Sequence, residues 1–311
     1  MVDPRPTRAR ADTAAAGHRG NARARGPPGA GAVGTSHGAQ GADVIAIAGE
    51  EGWWLALEDD YGRRRDEFVA RVGDYCAPLS ADHVGMPDAA TAIRVFNGLR
   101  HHLPLLEALG ANSPFRHGRD TGLASAREMT LRSWPRAGSP RAMADYEDFV
   151  RSTDRLTRVA EAPDYTFHWW KLRPHPRIGT VEIRVLDTQL SPRHTAALAA
   201  AVHALARYEA QAEPVEGPPE EILDEASFRA GRDGVEATLP DGQDRLRPVT
   251  ELLEKTIALA MPAARELRCD AQLKDLRGLL ADGGGAGIQR SHCRDGGVEA
   301  VLGALVDRAP A

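Results

Sequence analysis

Long apolar runs are missing from this 311-residue chain: none approaches the ~20 consecutive apolar residues that span a bilayer, so no membrane partner is expected. Cysteine is scarce too. Cys76, Cys269 and Cys293 are odd in number, unclustered and without CxxC spacing, which excludes a disulfide framework or zinc knuckle and fits reduced thiols in a cytoplasmic protein. No basic block persists past the N-terminal stretch and the net charge is −5, which argues against nucleic acid as a partner. Several chemical motifs are lacking. Gly283–Gly287 has no GxxxxGK[ST] pattern and follows a predicted helix rather than a strand, so it is not a phosphate loop. There is no GxSxG elbow. His101-His102 would diverge on a helix, and His292-Cys293 has no ligand partner at useful spacing.

What is present is enough apolar material for a core, at 42% hydrophobic. Residues 1–42 hold six arginines against Asp3 and Asp12, a charge of +4, so the remainder carries −9 (−5 − 4). That shift marks a boundary, with a disordered Arg/Gly/Ala/Pro-rich tail expected over 1–42 and the folded part over 43–311. Asp43–Ala48 reads as a short strand and Glu58–Tyr75 as a helix. Asp88 can cap a helix in which Ile93, Phe96, Leu99, Leu103 and Leu106 recur at helical spacing, bent or split by Pro104. The polar, turn-rich stretch Gly110–Gly122 reads as a surface or binding loop. Tyr165–Arg173 and Ile178–Leu186 read as strands of an antiparallel hairpin separated by Pro174–Arg177. Ser191-Pro192 then opens a helix with Leu198, Val202 and Leu205 inward. Further helices are predicted at Pro219–Gly231, Pro248–Leu267, Ala271–Ala281 and Gly297–Arg308, with Gly234 and Gly283 as terminators. Strands first and helices later indicate an α+β fold.

Alternation along the second strand places Val181, Ile183 and Val185 on one face and Thr180, Glu182 and Arg184 on the other. The polar face reads either as a solvent-facing side with a cross-strand ion pair or as a cleft lining. A carboxylate there would suit Mg²⁺, and an arginine fork would suit a phosphoryl group. Arg173, Arg177 and Arg184 crowd one hairpin, the composition of an anion site. Trp53-Trp54 and Trp169-Trp170 could stack a base, although core packing is the better reading.

The segment WWKLRPHPRIGTVEIRVLD (Trp169–Asp187) closely resembles the signature of the type 2 glutamate–cysteine ligase family, the bacterial carboxylate–amine ligases. Asn97–Arg127 resembles it nearly along its length, and Glu225–Leu239 and Gly285–Arg290 echo it in order. The resemblance implies a glutamine-synthetase-like antiparallel sheet packed with helices, residues 43–311 forming one partial catalytic domain. It implies ATP-dependent amide formation through an acyl phosphate, with ATP and Mg²⁺. On that model Glu182 and His83 are metal ligands, and Arg177 and Arg184 meet phosphates or the substrate carboxylate. Arg173 joins them, while Asn112, Ser113, Arg119 and Arg127 shape the substrate site. The family's opening strand, roughly GVEEEF, has only a faint echo in Gly49–Leu57, and its HVHVG motif stands here as Ala81–Gly85 with Asp82 in place of the first histidine. Lys171 and Ala226 replace an acidic residue and an asparagine. These departures imply either a site completed by a second subunit or a homo-oligomer, or a catalytically inactive remnant that binds without turnover.

Overall fold

The structure, a computed structural model, describes residues 46–47, 80–189 and 191–308. The expected tail over 1–42, the expected helix Glu58–Tyr75, Trp53-Trp54 and Cys76 lie outside the described residues. Strands β1 (Ala46–Ile47) and β2 (Ser80–Gly85) come first, then helices α1 (Ala89–Leu99) and α2 (Leu103–Gly110). The two-residue strands β3 (Phe115–Arg116) and β4 (Arg119–Asp120) pair as a small hairpin ahead of α3 (Ala126–Arg132) and α4 (Tyr146–Val159). Next come β5 (Leu172–His175), β6 (Thr180–Leu186), α5 (Pro192–Gln211) and α6 (Glu220–Asp233). The strands β7 (Thr238–Pro240) and β8 (Leu246–Pro248) lead into α7 (Val249–Glu266), α8 (Asp270–Asp275) and α9 (Gly284–Arg308). The fold class is α+β.

One sheet, ordered β1-β2-β6-β5, organises the molecule. Strand β6 is antiparallel to both neighbours, and β1 runs parallel to β2. The register sets His83, Glu182 and Arg173 opposite one another in one row, and Gly85, Thr180 and His175 in the next. Side chains alternate across the pleat, so the intervening residues Leu172, Val181 and Ile183 fall on the other face and are fully buried. Helices α1, α2 and α5 cover that apolar face. Asp82 stands opposite Ile183, on the face away from His83, and burial pushes its carboxyl up to about 6.

The helix starts follow local chemistry. Asp88 accepts a hydrogen bond from Thr91 N at 2.7 Å, and Ile93, Phe96, Leu99, Leu103 and Leu106 are all buried. The helix divides as Pro104 requires, at Arg100–His102, with Pro104 in the first turn of α2. Ser191 accepts from His194 N at 3.2 Å and Pro192 occupies the first position of α5. Replacing Ser191 with alanine is expected to cost about 1 kcal/mol, read as a lowered urea midpoint with unchanged slope.

Three expectations change. Tyr165–Arg173 is not one strand, because Tyr165–Phe167 is a short 3-10 turn capped by Asp164, which accepts from Thr166 N at 2.8 Å. The carbonyls of Thr166 and His168, which a ladder would need, accept from Arg173 Nη1 instead, at 2.7 and 3.1 Å. Strand β5 also runs through Pro174 and His175 rather than stopping before them. As an edge strand it needs no N–H from Pro174, and the turn falls at Pro176–Gly179, where Gly179 takes a positive φ of 63°. Finally, α9 starts at Gly284 with a helical segment over 284–295 that was not expected, breaks at Gly296–Gly297, where Gly297 takes a φ of 74°, and continues as the helix expected at Gly297–Arg308. Its early glycines serve close packing: a Cβ on Gly285 would collide with Asn112 Oδ1.

Candidate functional site

The polar face of β6 is enclosed, with Glu182 only 6% exposed, so the solvent-facing reading of that face does not hold. Arg173 lies across the strands from Glu182 and donates to its Oε2 from Nε at 3.0 Å and from Nη2 at 2.5 Å. The other carboxylate oxygen, Oε1, faces Arg184 Nη1 at 3.7 Å and His83 Nε2 at 3.8 Å. His83 Nδ1 is 3.0 Å from the Thr180 hydroxyl, and His175 Nδ1 is 3.1 Å from the Tyr165 hydroxyl.

Electrostatics follow from this crowding. Burial pushes the Glu182 carboxyl upward, but Arg173, Arg184 and the two histidines outweigh it and hold it well below the usual carboxylate range. Burial and Arg173 bring His175 down to about 4. Burial likewise lowers His83, with Glu182 opposing. The row is therefore an ionised carboxylate between guanidinium groups, flanked by neutral imidazoles at neutral pH.

A second cluster adjoins it at the end of β6. Asp187, 3% exposed, accepts from Asn112 N at 2.7 Å and from the Ser113 hydroxyl at 2.8 Å through Oδ2. Its Oδ1 accepts from the Ser125 hydroxyl at 3.2 Å and from Arg127 Nη1 at 3.4 Å. Arg127 Nη2 donates to the Arg184 carbonyl at 2.7 Å, which joins the two clusters. The Gly285–Arg290 echo meets the same loop: Gln289 Nε2 donates to Asn112 O and Oδ1 at 2.7 and 2.8 Å, and Arg290 pairs with Asp120.

Of the expected site residues, the structure brings together His83, Arg173, Glu182 and Arg184, and beside them Asn112, Ser113 and Arg127. It does not add Arg177 or Arg119 to either cluster. Arg177 sits on the β5–β6 turn, half-exposed and 3.4 Å from Asp164, and Arg119 is exposed on β4. Sequence reasoning passed over Asp187 and His175, although Asp187 ends the signature segment and His175 falls on the same side of β5 as Arg173, a sharing of faces visible in the alternation. Among the described residues no group of three or more His, Cys, Asp or Glu side chains converges as a metal site, and one Glu182 oxygen is already taken by Arg173. These residues do not by themselves fit Mg²⁺, which asks for near-octahedral oxygen ligation.

Residues 80–300 match the model of glutamate–cysteine ligase family 2, GCS2. The chain belongs to that family. A Rubrobacter xylanophilus protein provisionally named glutamate–cysteine ligase 2-3 is 42% identical over 228 residues, covering 72% of this chain and 62% of that protein. The Haloferax volcanii glutamate–cysteine ligase is 36% identical over 224 residues, 70% of this chain and 60% of that protein. The chain spans about 60% of the length of these curated relatives. A solved Francisella tularensis glutamate–cysteine ligase, in complex with AMP, aligns with a TM-score of 0.48 at 12% identity over 71% of this chain and 59% of that one. A likeness of that degree decides nothing about this member of the family. Both clusters lie within the region the family model matches, as do all of Asn97–Arg127 and Trp169–Asp187. No helix among the described residues is long and apolar enough to cross a membrane.

Proposed function

We propose that this chain carries the substrate and nucleotide end of an ATP-dependent carboxylate–amine ligase of the glutamate–cysteine ligase kind, working in the cytoplasm on small molecules. The observation that carries the reading is the family match over residues 80–300, with the enclosed Arg173–Glu182–Arg184 row as the place for its chemistry. ATP would transfer its terminal phosphoryl group to a substrate carboxylate, giving an acyl phosphate and ADP. The amine would then attack the acyl carbon, form the amide and release phosphate and a proton. Arg184 is suited to the charge that builds on the transferring group, because a guanidinium can hold two oxygens at once. Arg127, buried with its Nε lacking a hydrogen bond, is suited to a substrate carboxylate. Arg177 would reach a phosphate only from the rim. Mg²⁺ would supply charge neutralisation, and since the described residues do not fit it unaided, further oxygen ligands would come from outside them: from the rest of the chain, a completing subunit or a second copy.

A second reading is supported by a specific observation: one oxygen of the Glu182 carboxylate, Oε2, is engaged by Arg173 instead of being open to a cation. On that reading the chain binds a nucleotide or other anion without turnover. Calorimetric titration of the full chain with a non-hydrolysable ATP analogue, with and without Mg²⁺, tests both. Binding is expected, weakened roughly 10-fold or more in Arg184→Met, as befits one lost charge-assisted hydrogen bond. Absence of binding by well-folded protein would sink the ligase reading, and binding without any substrate-dependent ADP release would favour the second.

A further inference from the structure

Beneath the two clusters lies a buried group of charges that the proposed chemistry does not use. Lys171 is 5% exposed, and Glu107 and Glu128 are 3% exposed each. The Lys171 ammonium donates to Glu128 Oε1 at 2.5 Å. It also forms an ion pair with Glu107 Oε1 at 2.8 Å.

These contacts close a ring. The Lys171 carbonyl accepts from Arg184 N at 2.8 Å, the Lys171 side chain holds Glu128 on α3, and Arg127, the preceding residue of α3, donates to the Arg184 carbonyl. The packing around Glu128 is close, since a Cβ on Gly231 of α6 would come within 2.9 Å of its Cγ. One residue therefore fixes both the strand and the helix whose side chains meet at the site. We infer that Lys171 is a positioning residue, whose grip on Glu128 seats α3 and places Arg127 against β6, with Glu107 competing for that grip whenever it loses its proton. The inference rests on the reading of the Arg127–Arg184 region as a ligand site.

Charge counting gives the proton its role. One ammonium faces two carboxylates in the interior, and an uncompensated buried negative charge is costly, so the group favours an extra proton. The groups that face one another here are Glu107 from α2, Glu128 from α3, Lys171 ahead of β5, and the Ser227 hydroxyl of α6. Burial pushes the Glu107 carboxyl up to about 7, with Glu128 adding to the shift and Lys171 opposing it. Burial would drive the Lys171 ammonium down, yet the two carboxylates outweigh it and it stays charged. A raised carboxyl value means that the folded state holds the proton longer than the unfolded state. Stability from this group is therefore lost as pH climbs from the ordinary value of 4.5 towards about 7.

The test is hydrogen exchange of the α3 segment in the full chain, corrected for intrinsic rate, at about pH 6 and about pH 8.5, beside the affinity for inorganic triphosphate. Wild-type α3 should lose protection several-fold at the higher pH, and Glu107→Gln should abolish that dependence. Lys171→Met should expose α3 at both pH values while α5 stays protected, and Lys171→Arg should restore most of the loss. Identical pH profiles in wild type and Glu107→Gln, or unchanged α3 protection in Lys171→Met, would overturn the inference. Should Lys171→Met fail to fold, the Glu107→Gln comparison decides by itself. Wild-type protein that shows the α3 profile but binds no triphosphate would refute the site reading while supporting the seating of α3.

Discussion

Glu182→Ala is expected to lower the stability of the chain by about 3–5 kcal/mol, the usual cost of removing one member of a buried ion pair. The loss arises because Arg173, itself 4% exposed, would keep two carbonyl partners but no carboxylate, and Arg184 would lose its neighbour at 3.7 Å. A urea midpoint measured with unchanged slope reads it directly. The double variant Arg173→Met with Glu182→Leu should recover part of the loss, since removing both members leaves no lone charge of that pair, while Arg184 still lacks its carboxylate neighbour and the Thr166 and His168 carbonyls lose a donor. A loss under about 1 kcal/mol in the single variant would mean that water reaches the row freely. The pH dependence has a definite sign. The Glu182 carboxyl is held below its ordinary value of 4.5, so its contribution is fully present above that value and is lost only as pH falls through the lower folded-state value. Between about pH 5 and pH 8 the difference between wild type and Glu182→Ala should stay flat with respect to this carboxyl.

The second large effect is expected at Asp187. Its two oxygens satisfy the Asn112 backbone N–H, two serine hydroxyls and one nitrogen of Arg127. Asp187→Ala would leave those buried donors without an acceptor, at about 1–3 kcal/mol for each neutral group and more for the guanidinium, so a total of several kcal/mol is expected. The effect should be local as well as global, with hydrogen exchange rising along 112–127 before it rises in α5. Asp187→Asn should restore only part of the loss, because its amide turns a donor towards groups that are themselves donors. Equal exchange in 112–127 for wild type and Asp187→Ala would show that Gln289 and the α6 carbonyls hold the loop unaided. Those carbonyls, of Gly231 and Arg232, accept from Ser125 and Ala124 at 2.8 and 2.9 Å.

Much of this architecture was legible in the chain. The capping residues Asp88 and Ser191, the division of the first helix pair near Pro104, and the apolar stripe Leu198, Val202, Leu205 all act through contacts within a few residues, and those are what periodicity and caps record. The two faces of β6 were readable for the same reason, since alternation is a property of the strand itself. The misread segment Tyr165–Arg173 shows the opposite case. Its aromatic composition favours a strand, but a single guanidinium from Arg173 takes the carbonyls a ladder would use, and Asp164 closes a turn. The helical segment over 284–295 was missed for a similar reason, because Gly285 answers to Asn112, which lies far from it in sequence.

The sequence by itself therefore determined the class of fold, the family, and which residues of β6 share a polar face. Tertiary structure decided whether that face is enclosed, which arginines reach it, and what each carboxylate faces. It set Arg173 rather than Arg177 on Glu182, gathered the 112–127 loop onto Asp187, and buried Lys171 between two glutamates. The physical reason is range. Caps, turns and pleat alternation are settled by neighbouring residues, whereas burial and charge pairing depend on elements tens of residues apart meeting in a medium where each unpaired charge is costly.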